Sequence, residues 1–381
     1  MPGRPAVRLA FFYGSVFAGI GIFLPFWPVW LADARGLSAG EIGVILAAGF
    51  WPRVVISIAI GWAADRWGER KRPMIALAAA TLALVALYTL AEGFWALLVL
   101  SLLVGATYAS IVPLGEALAL QEAKAAGFGY GRVRLWGSIT FIAASIGIGT
   151  ALERSGAEVV LQGLVATLGL TLLACALLPD TRVPLRGEPP ARLGALLRRP
   201  GFLAFLLASG LIHGSHAVYY GFATIHWRDA GHGETLIGWL WALGVLAEIL
   251  LFAWGGQVLA RIGALRLLVL AGALTAVRWG VMALGTELWL LVPAQVLHAA
   301  SFGAAYLAGM HHLRDGTPPE MHATAQGCFA AAVALLFGVL TPAAGWLYGA
   351  LAGAAFWPMA LLAATGTALV ARMSSLRAAA A

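Results

Sequence analysis

Six ionisable side chains stand inside or at the edges of long apolar stretches of this chain: Glu116, Arg134, His216, Glu248, Arg278 and His298. A charge at bilayer depth costs about 2.5–3.5 kcal/mol even on a lenient insertion scale, so such residues mark solute paths, ion paths and proton relays. Their types suit that work. A carboxylate can take up and release a proton, and its hold on it changes when an arginine approaches or leaves. An arginine offers a planar fork of donors that fits a substrate carboxylate. Histidine titrates closest to neutrality. Moving Arg278 or a solute toward and away from Glu248 would therefore load and unload a proton. Catalysis or signalling by a membrane-embedded enzyme or receptor finds little support, because the chain has no catalytic triad, zinc spacing or sizeable extramembrane domain. It also has no nucleotide-binding loop, which argues against a primary pump.

These residues need long elements that cross a membrane. The 381 residues are 61% hydrophobic and only 11% charged, with a mean hydropathy of +0.88. Soluble domains carry about 25% charged residues. At about 20 apolar residues per helical span, the hydropathy pattern predicts twelve spans: 9–32, 40–64, 73–91, 95–121, 129–152, 158–178, 201–226, 235–259, 265–284, 287–312, 323–349 and 353–372. The alternation with period two of a membrane barrel is absent. The first span, preceded by Arg4 and Arg8, is longer than the apolar region of a signal peptide and reads as an uncleaved helix. With both termini placed in the cytoplasm, 17 Lys and Arg fall in inside loops; only Arg35, Arg154 and Arg228 fall outside. That bias also accounts for the net charge of +7 without a nucleic-acid partner. Cys175 and Cys328 lie in apolar segments and read as buried thiols.

The chain repeats itself. A shift of 195 residues puts Ile42-Gly43 on Ile237-Gly238, Gly61 on Gly256, Arg66 on Arg261 and Gly68 on Gly263. The division falls at the polar stretch between spans six and seven. The expected fold is an all-α membrane protein of two pseudo-symmetric six-helix bundles, residues 1–178 and 201–381, joined by a cytoplasmic linker at 179–200. Under the same shift Arg53 corresponds to Glu248, whereas Ala260 replaces Asp65.

Several motifs carry a resemblance. Gly61-Trp-Ala-Ala-Asp65-Arg66-Trp-Gly68-Glu-Arg70 joins spans two and three and resembles the signature of the major facilitator transporters. Its glycines permit close helix approach, and Asp65 can meet an arginine or a helix N-terminus at an inside gate. The bland alternative is a basic loop that only sets topology. Further along come Pro25-Phe26-Trp27-Pro28, Pro113-Leu-Gly-Glu116, Tyr130-Gly131-Arg132-Val-Arg134, Val277-Arg278-Trp279-Gly280 and Gln295-Val-Leu-His298. In this order the set is similar to the phenylpropionate permease-like branch, and more distantly to the galactoside–proton symporters.

That resemblance implies roles. Glu116 and Arg134 match a pair that binds sugar hydroxyls. Glu248, Arg278 and His298 match a proton-coupling and binding network. Phe141 replaces a sugar-stacking tryptophan, which weakens a sugar assignment, and Ser301 replaces the principal proton-carrying glutamate. Substrate contacts are thus expected at Trp27, Glu116, Arg134, Phe141, His216 and Arg278, coupling at Glu248, Arg278 and His298, and gating at Gly61, Asp65, Arg66, Gly68 and Arg70. Structural alternatives stand beside these: a salt bridge for Glu116–Arg134, helix pairing of Glu248 with Arg53 or Arg278, and a helix contact for His298. His213 shares a helical face with His216, but no carboxylate joins them at metal-ligand spacing. Trp27 also fits an interface anchor. The implied function is proton-coupled symport of a small organic solute, with an aromatic carboxylate such as 3-phenylpropionate leading. The alternatives are a sugar or nucleoside symporter, or an efflux exporter. No metal or cofactor is called for, the proton gradient supplying the energy. The expected setting is a bacterial inner membrane, the expected partners are solute, protons and lipid, and the expected working unit is a monomer.

Overall fold

The computed structural model describes residues 4–56, 69–180, 193–318 and 321–380. The helices of the described residues are, in chain order, α1 Arg4–Asp33, α2 Ala39–Ala48, α3 Lys71–Ala86, α4 Gly93–Tyr108, α5 Ile111–Ala126, α6 Tyr130–Ser155, α7 Glu158–Leu177 and the short α8 Leu193–Leu197. Then come α9 Phe202–Gly214, α10 Ala217–Asp229, α11 Glu234–Ile262, α12 Ala264–Leu284, α13 Leu288–Val296, a π-helical turn at Ala299–Ala304, α14 Ala305–Gly316, α15 His322–Leu351 and α16 Phe356–Ala380. Among the described residues there is no strand.

Eleven segments of the described residues are long and apolar enough to cross a membrane. The last, Thr324–Ser375, runs for 52 residues and contains two legs, α15 and α16. A tight turn at Ala352–Ala355 separates them, with Ala352 at φ 47°. Counted by legs, these are the twelve expected spans, the second being described only as far as Ile56. Large side chains such as Leu90, Trp95, Trp289, Trp346 and Leu361 are exposed, as lipid-facing surfaces require.

The helices group into two units. The first comprises Met1–Gly187 together with Trp227–Ala242; the second comprises Glu188–His226 and Leu243–Ala381. In the first unit α1 packs along α6 and α7 and buries Leu9, Phe12, Tyr13 and Val16 among Met74, Ile111, Leu118 and Cys175. At the crossing of α4 over the end of α2, a Cβ added to Gly105 would come within 2.7 Å of the Gly49 carbonyl oxygen, so the helices touch backbone to backbone. In the second unit α12 lies against α16, and α9 against α15 and α16, around Phe205, Ile212, Leu268, Ala305, Phe329 and Val370.

The segment Trp227–Ala242 departs from the simple division at 179–200. It comes after the linker in sequence and groups with the first unit. Polar contacts within that unit explain this. Arg228 bridges Asp33 (Nη1–Oδ2, 2.7 Å) and Glu234 (Nε–Oε1, 2.8 Å). The Thr235 backbone N–H and hydroxyl both donate to the Glu153 carboxylate at 2.8 Å. Glu153 thereby caps the start of α11, where the helix dipole favours a negative charge. The Ser145 hydroxyl donates to the Gly238 carbonyl at 3.3 Å.

Candidate functional site

In the first unit, Glu116 on α5 and Arg134 on α6 approach to 3.9 Å (Oε1–Nε) and remain 42% and 30% exposed. At that separation they attract without sharing a hydrogen bond, so each keeps polar capacity for a solute. The Arg134 guanidinium lies over the ring of Phe17 at 3.8 Å and near Tyr13 at 5.4 Å. Phe141 is buried further along α6, where a Cβ added to Gly21 of α1 would come within 2.6 Å of the Phe141 carbonyl oxygen. Trp27 belongs to a different group: it stacks on Trp30 at 4.5 Å and on Phe23 at 5.8 Å, with Tyr88 edge-on at 4.9 Å. Arg53 is exposed, with its guanidinium 5.4 Å from the Phe50 ring. Of the gating motif, Gly61, Asp65, Arg66 and Gly68 lie outside the described residues. Arg70 is described and donates to Gln121 Oε1 at 3.0 Å.

The second unit gathers more polar groups. Arg278, on α12, is fully buried. Its Nε donates to the Ala294 carbonyl at 2.7 Å; its Nη1 donates to His298 Nδ1 at 3.0 Å and to the Ser301 hydroxyl at 3.1 Å. Nη2 lies 3.5 Å from Gln295 Oε1, and the side chain also meets the Tyr219 hydroxyl. The rings of Tyr219 and Trp279 lie 4.3 Å and 4.5 Å from the guanidinium, stabilising the cation through their faces. No carboxylate among the described residues lies within 4.0 Å of it. A buried guanidinium balanced by neutral acceptors and aromatic faces is well suited to receiving an anion.

Three side chains on the tenth span serve this arginine: Gln295 from α13, then His298 and Ser301 at successive steps of three residues. The π-helical turn at Ala299–Ala304 follows His298 directly; such turns occur frequently at functional sites. A guanidinium only donates, so His298 Nδ1 accepts and the ring proton sits on Nε2. That nitrogen faces Glu248 Oε1 at 3.8 Å. A proton can join Nδ1 only after Arg278 Nη1 has turned away. Glu248, on α11, thus stands nearest to His298 rather than to Arg278.

His216 sits at the break between α9 and α10, fully buried. Its Nε2 meets the Ser301 hydroxyl at 3.4 Å, its Nδ1 meets the His213 carbonyl at 3.1 Å, and its ring stands edge-on to Trp279 at 4.8 Å. Ser215 accepts the Trp279 indole N–H at 2.9 Å. His213 bonds through Nδ1 to the Ser209 carbonyl at 2.8 Å and packs against Phe302 and Phe329. The fold therefore joins His216, Glu248, Arg278 and His298 into one cluster, and Glu116 with Arg134 into another. Sequence reasoning assigned no role to Gln295, which appeared only as the first residue of the Gln295-Val-Leu-His298 motif.

The chain matches the family model described as the MFS_1 like family over residues 6–364. It is 34% identical over 318 residues to the probable 3-phenylpropionic acid transporter of Escherichia coli (strain K12), covering 80% of this chain and 81% of that protein. It is 30% identical over 332 residues to maltose permease of Geobacillus stearothermophilus, covering 84% and 82%. The crystal structure of nucleoside transporter NupG (D323A mutant) superposes with a TM-score of 0.83 over 97% of this chain and 98% of that one. At 16% identity, that likeness concerns the fold.

Proposed function

This chain belongs to the MFS_1-like family of major facilitator transporters, and from that premise we propose that it carries a small organic acid across the membrane together with protons. It is a secondary transporter and an integral membrane protein, not an enzyme. The observation that carries the acid reading is Arg278: a fully buried cation with neutral hydrogen-bond partners, no carboxylate of the described residues within 4.0 Å and aromatic rings against it. An aromatic carboxylate satisfies both the charge and the rings. Similarity to the probable 3-phenylpropionic acid transporter makes 3-phenylpropionate the first solute to try.

Coupling is assigned to Glu248, His298 and Arg278. When the substrate anion draws Arg278 toward itself, His298 Nδ1 is released from Arg278 Nη1, and the His298–Glu248 pair accepts a proton. The incoming anion and proton together add no net charge to a buried site, which keeps the desolvation cost low. Alternating access then moves the neutral load. Trp27, Glu116, Arg134, Phe141 and His216 are likewise assigned to substrate contacts. Gly61, Asp65, Arg66, Gly68 and Arg70 are assigned to an inside gate. The protein is placed in a bacterial inner membrane with both termini in the cytoplasm, acting as a monomer and needing no cofactor.

The test is uptake of labelled 3-phenylpropionate into proteoliposomes carrying an imposed pH gradient, inside alkaline. Accumulation above the external concentration is expected, with a return to equilibrium on adding a protonophore. Accumulation indifferent to the protonophore would remove proton coupling. A second reading, a sugar substrate, is favoured by the partly exposed Glu116–Arg134 pair and the likeness to maltose permease. Accumulation of maltose in place of 3-phenylpropionate would establish it.

A further inference from the structure

Gln295 is fully buried on α13, one step of three residues before His298. Its carbonyl oxygen accepts the Tyr219 hydroxyl at 2.9 Å and lies 3.5 Å from Arg278 Nη2. Its amide nitrogen, Nε2, has no hydrogen-bond partner. The orientation of the amide follows from its neighbours. Because a guanidinium only donates, Oε1 must face Arg278, and the two amide protons are left on the other side. A buried amide N–H without an acceptor is a standing penalty that proteins rarely retain. The adjoining Arg278 Nη2 holds the longest bond of its guanidinium, whereas Nε and Nη1 are engaged at 2.7–3.1 Å.

Two donors, the unpartnered Gln295 Nε2 and Arg278 Nη2 with its 3.5 Å contact, thus belong to locked side chains that meet at Gln295 Oε1. Tyr219 fixes the glutamine; the Ala294 carbonyl, His298 and Ser301 fix the arginine. The aromatic rings lie against the guanidinium, so an acceptor must come to its N–H edge. We propose that Gln295 is a substrate-binding residue whose Nε2, with Arg278 Nη2, receives the two oxygens of the substrate carboxylate, making this corner of the second unit an acid-selective clamp. The proposal rests on the acid reading of the Arg278 site and adds what distinguishes an acid from its neutral analogue. A carboxylate offers only acceptors to the two donors. A primary amide presents an N–H where one acceptor is needed, and an alcohol supplies a single oxygen. Discrimination by hydrogen bonding is strong because the rejected analogue leaves buried donors unpaired.

Purified full-length protein and two variants, Gln295→Glu and Gln295→Leu, test this by ligand-induced thermal stabilisation and binding affinity. The probes are 3-phenylpropionate and 3-phenylpropanamide. The wild type is expected to bind the acid at least about tenfold more tightly than the amide. Gln295→Glu keeps the side-chain shape, gives Arg278 a carboxylate of its own, and should lower acid affinity about 100-fold. Should that variant not fold, Gln295→Leu serves: acid affinity should fall about tenfold with the amide moved less than about threefold. Acid affinity in Gln295→Glu equal to that of the wild type would overturn the proposal. So would Gln295→Leu weakening acid and amide by the same factor, since that is the mark of a merely structural residue. A wild type that binds acid and amide alike would instead defeat the acid reading itself, and the clamp with it.

Discussion

Replacing Glu248 by glutamine keeps the shape of the side chain and removes the oxygen that can hold a proton 3.8 Å from His298. Under the coupling scheme, Glu248→Gln should abolish accumulation of 3-phenylpropionate driven by a pH gradient. Exchange of internal for external substrate, which needs no net proton movement, should persist within about threefold of the wild-type rate. Full gradient-driven accumulation by the variant would exclude Glu248 from coupling. At this scale the sequence was legible where charge met oil. Glu248, Arg278 and His298 stood out from their apolar segments, and the fold assembles them around one guanidinium. Gln295 was visible only as the first residue of a motif, without a role of its own. A neutral amide adds little to a hydropathy profile. Its importance arises from a hydrogen bond with Tyr219 across 76 residues of chain, which no local pattern encodes.

Helices were readable from apolar run length, but their interruptions were less so. The span read as 201–226 is two helices, broken at Ser215–His216 without a proline. The break is possible because Ser215 donates back to the Ile212 carbonyl at 2.7 Å and receives Trp279 on the same oxygen. The π-helical turn in the tenth span was equally hidden, since a change of hydrogen-bond register leaves composition untouched. Glycine carries a clearer message. Gly105 meets the Gly49 backbone directly, so Gly105→Val should force α4 away from α2. The expected cost is about 1–3 kcal/mol of overpacking, visible as a lower melting temperature in detergent. A variant melting with the wild type would mean that the crossing gives way without penalty.

For the molecule as a whole, the distribution of Lys and Arg assigns 17 to one side and 3 to the other. A green fluorescent protein fused after Ala381 should therefore fluoresce, and alkaline phosphatase at the same position should be inactive. The opposite pair of results would invert the topology. The internal repeat, shifted by 195 residues, made the two bundles legible, yet one segment does not follow it. Trp227–Ala242 is encoded after the linker and folds with the unit that precedes it, through Asp33, Ser145 and Glu153. The halves of this chain are consequently not free to be traded as cassettes. A hybrid that took residues 1–200 from a relative would leave Arg228 and Thr235 facing positions selected for someone else's partner. Successful recombination would have to cross over at residues 227 and 242 as well, so the functional inheritance of this transporter is threaded through its sequence rather than cut at its middle.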